Sequence, residues 1–344
     1  MGVALIGAGM IAKTHVSALA SICTHVRLAS IVSRRPERAN YLAAYYPGPP
    51  PLFTSDLSAV IENSDTVFAI VATPPDVRIE LISSLAQAGK HILLEKPVAR
   101  TFDEALNVVE ICEHAGVNLG VVFQHRMWPA SKAAAQLLAS GRLGQLGHVE
   151  ISAPLWRAQS YYDELDRGTY ARDGGGVMIT QAIHTIDLAL SLTGPVKSVR
   201  AMTATTPLHQ MESEDFAIAG LHFSSGAVGS LVASTASYPQ GPETITLHCE
   251  NGSIKLSAAA LDITWRDGHC ERVGGVSEDT IENGPELAKH EWHQAIIEDF
   301  VDSIQQDRTP AVSGRAALES QKLIEAIERS SRSGTIEELK PWLV

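Results

Sequence analysis

A chain of 344 residues, 45% hydrophobic and 19% charged, is long enough for two domains with sizeable cores. Its formal net charge of -12, from 27 Lys and Arg against 39 Asp and Glu, argues against holding a nucleic-acid backbone through bulk electrostatics, so any phosphate must be bound by local groups. There is no apolar run of the ~18 residues a membrane helix needs. The opening MGVALIGAGM enters a strand-like run without a basic stretch or cleavage pattern, so a cytoplasmic location is expected.

The first strand, Val3 to Ile6, runs into Gly7-Ala8-Gly9-Met10-Ile11-Ala12, a G-x-G-x-x-A turn that opens a helical pattern. Strand before and helix after make this a dinucleotide fingerprint. Gly7 permits the tight turn, Gly9 lets a pyrophosphate approach the backbone, small Ala12 allows close packing, and the helix start at Met10 and Ile11 favours the anion. The second strand, Val26 to Val32, ends in Ser33-Arg34-Arg35, where an acidic residue would hold a ribose 2′-hydroxyl. A hydroxyl and two guanidinium groups suit a 2′-phosphate, which favours NADP over NAD. The same arginines, with Arg38 and Glu37, also suit the solvated start of a helix.

A buried-type strand, Asp65 to Ala72, ends in Thr73-Pro74-Pro75, which places Ala72, Thr73 and Pro74 at a strand end, where open α/β sheets bind ligands. Strand Lys90 to Leu94 stops at Glu95-Lys96-Pro97. Proline cannot continue the ladder, so Lys96 is delivered over the same sheet edge. A helix at 103 to 115 and a strand at Asn118 to Phe123 complete the series, and the boundary is expected near Gln124.

The second domain is predicted to hold a helix at 129 to 140, a strand at His148 to Leu155, a main helix at 173 to 192 and strands at 197–205, 214–223, 227–237, 243–249, 253–257 and 261–266. Their alternation reads as an antiparallel sheet with one face on helices; Ser230, Ser234 and Ser237 mark the other as a subunit interface. Helices at 286 to 306 and 315 to 332 close the chain, and the last helices are candidates to pack back on the first domain. His290-Glu291-x-His293 lacks zinc-site spacing and reads as helix surface. The cysteines Cys23, Cys112, Cys249 and Cys270 form no CxxC pair, so reduced thiols and no metal are expected.

Asp173 to Asp187, DGGGVMITQAIHTID, is the candidate reaction centre. Its glycines would let backbone approach a ligand closely, and Thr180, His184 and Asp187 are spaced i, i+4, i+7 on one helix face. Asp187 either orients the His184 imidazole or pairs elsewhere. Gln124, His125 and Arg126 follow the last strand of the first domain; Arg126 reads either as a substrate or cofactor ligand or as a domain-hinge ion pair. The segment Trp156 to Arg172 carries Trp156, Tyr161, Tyr162 and Tyr170 among arginines, a specificity loop or a segment crossing to a neighbouring subunit.

Together Gly7-Ala8-Gly9-x-x-Ala12, Glu95-Lys96-Pro97 and Gly174-Gly175-Gly176 followed by His184 and Asp187 resemble the glucose-fructose oxidoreductase, inositol dehydrogenase and MocA family, over most of the chain. The resemblance implies an α/β protein: an N-terminal Rossmann doubly wound parallel sheet over 1–123, and over 124–344 a substrate-binding and oligomerisation domain on a large, mostly antiparallel sheet. It implies NAD(P) chemistry on sugars or cyclitols, and homodimers or homotetramers formed through that sheet. In such enzymes the lysine corresponding to Lys96 reaches the reacting oxygen, its bond to proline is often cis, and the histidine corresponding to His184 accepts the proton. An aspartate four residues before that histidine assists; here that position is Thr180, and Ala182 stands where glycine is usual. Threonine can hydrogen-bond a sugar hydroxyl but takes up no proton at neutral pH, so acid-base work falls on His184 and Lys96.

The expected activity is hydride transfer between NADP, or NAD, and a ring hydroxyl or ketone, with Lys96, His184 and Thr180 at the chemistry and Gln124, Arg126 and Trp156 on the substrate. Two alternatives stand beside it: a glycoside hydrolase of this fold using tightly held NAD transiently, and a non-catalytic NADP-sensing regulator.

Overall fold

The computed structural model describes residues 1–257, 260–275 and 290–340. Six strands form the first sheet: β1 (Gly2–Ile6), β2 (Arg27–Val32), β3 (Leu52–Thr54), β4 (Thr66–Val71), β5 (His91–Glu95) and β6 (Leu119–Val122). All its pairings are parallel, in the order β3-β2-β1-β4-β5-β6. Parallel strands are covered on both faces, which is why β1, β4 and β5 are near-continuous apolar runs rather than alternating ones. This is a doubly wound Rossmann sheet; the order reverses between β1 and β4, and the strand ends beside that point are where such folds take ligands.

The second sheet has nine strands, ordered β14-β13-β12-β11-β7-β10-β9-β8-β15. They are β7 (Leu146–Pro154), β8 (Val196–Ala204), β9 (Phe216–Phe223), β10 (Val228–Ser234), β11 (Thr244–Cys249), β12 (Gly252–Ser257), β13 (Ala260–Trp265), β14 (Cys270–Gly274) and β15 (Glu337–Glu338). The sheet is mixed: β10 runs parallel to β7 at its centre, and the other pairings are antiparallel. In β9 the residues alternate, with Ala217, Ala219 and Leu221 buried and Ile218, Gly220 and His222 exposed, the pattern of a sheet covered on one side.

The longer helices are α1 (Ala12–Ser21), α2 (Arg78–Gln87), α3 (Phe102–His114), α4 (Pro129–Ala139), α5 (Ile183–Thr193), α6 (Glu291–Gln305) and α7 (Gly314–Ser333). The start of the closing helix read from 286 lies outside the described residues as far as 289. The chain divides into two compact units. The first holds Met1–Ala99, Asp103–Gln124 and the described part of Asn283–Leu318; the second holds Arg100–Phe102, the described part of His125–Glu282 and Glu319–Lys340. Residues 291 to 305 therefore belong with the nucleotide-type sheet, a return that hydrophobic patterning along the chain does not signal.

Two local readings are corrected. The helix expected over 173 to 192 begins as a glycine loop followed by a π-helix, Met178–Ala182, before α5. A π-turn holds more residues than an α-turn, so the spacing that put Thr180 on one face with His184 and Asp187 does not run through it. His293, read as helix surface, is 1% exposed, because α6 turns that residue onto α1 and β5 against His15 and Glu95.

Candidate active site

In the first unit the candidate cofactor residues lie at the carboxyl ends of β1, β2, β4 and β5. Gly7 has φ +105 and donates its N–H to the Val32 carbonyl at 2.9 Å; a Cβ there would stand 2.7 Å from the Ala72 carbonyl oxygen. Only glycine fits between two strand ends so closely spaced. Gly9 is different, since nothing lies within 4 Å of its absent side chain. Beyond it Met10 is 73% exposed and Ile11 half-buried, and no side chain caps the start of α1. Open space above a glycine turn, with uncapped helical N–H groups, fits a pyrophosphate.

Ser33 is half-buried and Arg34 and Arg35 are exposed just past β2. Ala72, Thr73 and Pro74 follow β4, and the Lys96–Pro97 peptide after β5 is cis. A residue that sequence reasoning missed ties these two strand ends together. The guanidinium of Arg78 is fully buried; it donates to the Thr73 carbonyl at 2.6 and 3.0 Å, to the Glu95 carbonyl at 2.6 Å, and to the Pro97 carbonyl. Burial lowers its pKa to about 10, against the pull of Glu95 and Asp76, so it stays charged at neutral pH. An arginine at the first position of α2, directly after the T-P-P turn, was the available signal.

The second unit holds Arg126, Trp156, Thr180 and His184, while Gln124 belongs to the first. His184 lies beside His125, ring centroids 4.9 Å apart, and His125 in turn stacks on Trp128 at 3.9 Å. Arg126 forms a bidentate pair with Asp187, Nε to Oδ2 at 2.7 Å and Nη2 to Oδ1 at 2.6 Å. Asp187 is 1% exposed; burial raises its pKa and the arginine opposes the rise. Of the two readings of Asp187, the structure shows pairing elsewhere, to Arg126. The Thr180 hydroxyl lies 2.6 Å from the Gly176 carbonyl and against Gln181 Oε1, and Gln181 Nε2 donates to the Tyr161 hydroxyl at 3.1 Å.

The three glycines answer to the chain itself. A Cβ on Gly174 would stand 2.5 Å from the Arg100 carbonyl oxygen, and one on Gly176 only 1.7 Å from that of Glu214. At Gly174 and Gly176 the missing side chain answers to close backbone-on-backbone packing, while a Cβ on Gly175 would meet the Ile179 and Glu328 side chains at 3.1 and 3.3 Å. Glu214 completes the arrangement: its Oε2 accepts the Gly176 N–H at 3.0 Å and its Oε1 the Met178 N–H at 3.1 Å, capping the helical segment as an acid at a helix start does. Trp156 packs against Tyr238 and His209, centroids 5.3 and 5.7 Å away, and His209 is held by Asp215 at 2.7 Å. Tyr162 is buried with its hydroxyl 2.7 Å from Thr235 Oγ1, and Arg167 donates to the Tyr161 hydroxyl at 2.8 Å. Much of the 156–172 segment is thus anchored within its own chain.

Two family models match the chain: the oxidoreductase family with an NAD-binding Rossmann fold over residues 1–123, and the GFO/IDH/MocA C-terminal domain over 131–255. The WlbA dehydrogenase from Bordetella pertussis, solved in complex with NADH and UDP-GlcNAcA, is 30% identical and superposes with a TM-score of 0.83 over 99% of both chains. A D-apiose dehydrogenase from Paraburkholderia graminis is 27% identical over 98% of this chain and 89% of its own. An uncharacterized oxidoreductase of Schizosaccharomyces pombe is 30% identical over 50% of this chain, a match spanning 46% of that protein. The chain belongs to the GFO/IDH/MocA oxidoreductases, an NAD-binding family with sugar dehydrogenases among its members.

Proposed function

We propose that the protein catalyses reversible hydride transfer between NADP and a ring hydroxyl or ketone of a sugar, sugar derivative or cyclitol. The observation that carries this reading is the edge of the Rossmann sheet, where open space at Gly9, the uncapped start of α1 and the half-exposed Lys96 meet the same strand ends. Gly7, Gly9, Met10, Ile11, Ala72, Thr73 and Pro74 would hold the dinucleotide mainly through backbone, with Glu95 and Lys96 at the nicotinamide side. The bound nicotinamide supplies the hydride acceptor or donor. His184 takes the hydroxyl proton as the carbon is oxidised, and Lys96 stabilises the alkoxide that develops. Thr180 and Gln124 orient substrate hydroxyls; Arg126, held by Asp187, and Trp156 line the substrate side. Among relatives, a D-apiose dehydrogenase and an enzyme bound to UDP-GlcNAcA support a sugar-type substrate.

NADP is favoured because β2 ends in Ser33-Arg34-Arg35 with no carboxylate, and both arginines are exposed to meet a 2′-phosphate. Arg34→Ala is expected to weaken NADPH binding about tenfold more than NADH binding in fluorescence titrations; equal losses would reject the preference. The outward face of the nine-stranded sheet is read as an assembly surface for a dimer or tetramer, since Met202, Ile218 and Val228 stay 54%, 41% and 45% exposed there. Turnover of a sugar and cyclitol panel with free NADP and NAD tests the activity itself.

A further inference from the structure

β5 ends in two charged residues that the fold treats oppositely: Lys96 is half-exposed, while Glu95 is 7% exposed. Burying a carboxylate is costly unless it is paired, and an apolar side chain of similar size would fill the space without that cost. Three elements compensate it. From α1, His15 Nε2 lies 2.8 Å from Glu95 Oε1. From α6, His293 Nε2 lies 3.9 Å from the same oxygen, its ring edge-on to His15 at 5.2 Å and 88°. The other oxygen, Oε2, accepts the backbone N–H of Lys96 at 3.2 Å. From α2, Arg78 grips the carbonyls of Glu95 and Pro97 on either side of Lys96.

We infer that Glu95 is a positioning residue for Lys96: its buried carboxylate, held by His15 and backed by His293, fixes the lysine's backbone and supplies the negative charge that keeps its ammonium protonated. This rests on the reading of Lys96 as the group that meets the reacting oxygen. The carboxylate only accepts, so His15 carries its proton on Nε2. His15 Nδ1 has no hydrogen-bond partner among the described residues. Burial, the neighbouring His15, and further His290 and Lys96 hold the His293 pKa down to about 4 against Glu95. Glu95 itself stays ionised: burial raises its pKa, and the His15 hydrogen bond with the charges of His15, His293 and Lys96 brings it below the ordinary value. The same three side chains have ligand atoms within 4.8 Å of one another, as a metal would require. Metal-bound imidazoles, however, anchor their second nitrogen on an acceptor, and Nδ1 of both His15 and His293 has none among the described residues.

The test needs no known substrate. Lys96 in the full-length protein is labelled competitively with acetic anhydride across a pH series, quantified by peptide mass spectrometry, for wild type, Glu95→Gln, His15→Ala and His15→Gln. Removing the Glu95 charge is expected to lower the Lys96 labelling midpoint by about one pH unit in Glu95→Gln. His15→Ala is expected to move it the same way, and His15→Gln, whose amide still donates to the carboxylate, to restore it. Once a substrate is in hand, Glu95→Gln is expected to lower kcat about tenfold with little change in KM and to shift the pH profile with the labelling midpoint. An unchanged midpoint in Glu95→Gln and His15→Ala would overturn the inference. So would one equivalent of tightly held divalent metal that His293→Ala releases. Lys96→Ala separates the two claims: retained turnover there removes Lys96 from the chemistry, while the labelling midpoint still decides what Glu95 does.

Discussion

His184 and Lys96 carry the proposed chemistry, one as proton acceptor and the other as the cation at the developing alkoxide. A proton acceptor and an alkoxide-stabilising cation each contribute through the transition state more than through ground-state binding. His184→Ala and Lys96→Ala are therefore each expected to lower turnover about 100-fold or more with cofactor titrations unchanged; near-normal rates in either would remove that residue from the mechanism. Asp187, by contrast, is engaged by Arg126 through both oxygens, so its part is to hold the arginine. A second residue-scale consequence lies in the acids behind the glycine loop. Glu328 has its pKa raised to about 7, first by burial and then by the charge of Glu214, against Arg332. Between the ordinary value of 4.5 and about 7 the folded chain binds the extra proton, so this group's contribution to stability falls as pH rises through that window. Urea midpoints are expected to decline less between those limits in Glu328→Gln than in wild type; parallel declines would contradict the assignment.

At the scale of elements, five strands of the first sheet were legible because they are buried on both faces and announce themselves as apolar runs punctuated by Gly7, Pro74 and Pro97, whereas the short, more exposed β3 gave no such run. Seven strands of the larger sheet were legible from alternation and glycine turns; the exposed β14 and two-residue β15 were not, and nothing local to β7 or β10 shows that they run parallel. What stayed hidden depends on contacts distant in sequence. Arg78 reads as an ordinary first-turn charge until four strand-end residues, Thr73, Glu95, Pro97 and Val98, are seen around it. His293 reads as surface because the residue it meets, His15, is 278 positions earlier in the chain. Within the glycine triplet, Gly174 and Gly176 are required by the backbones of Arg100 and Glu214, contacts that no local pattern shows. The π-turn at Met178–Ala182 had no sequence signature, and it redirects Thr180 toward Gly176.

For the whole molecule, an NAD-binding sheet and a broad mixed sheet lie on one chain, and the proposed activity assigns the cofactor to the first and the substrate to the second. One row of side chains on the outward face of the larger sheet runs Met202, Ile218, Val232, Ser152 and Thr244 through successive strand pairings. The exposed apolar pair Met202 and Ile218 in this row costs solubility unless a second copy covers it. Ile218→Asp is expected to reduce the mass measured by light scattering from an oligomer toward the 36.9 kDa chain; a mass unchanged by the substitution would place assembly elsewhere. The central claim is catalytic, and one measurement reaches it most directly. Purified protein is mixed with free NADP or NAD and a panel of pyranoses, furanoses, nucleotide sugars and inositols, and reduced cofactor is followed at its absorbance band. The expected result is sustained reduction with at least one ring polyol, faster with NADP than with NAD and lost in His184→Ala; tight cofactor binding with no turnover on any member, in either direction, would contradict it.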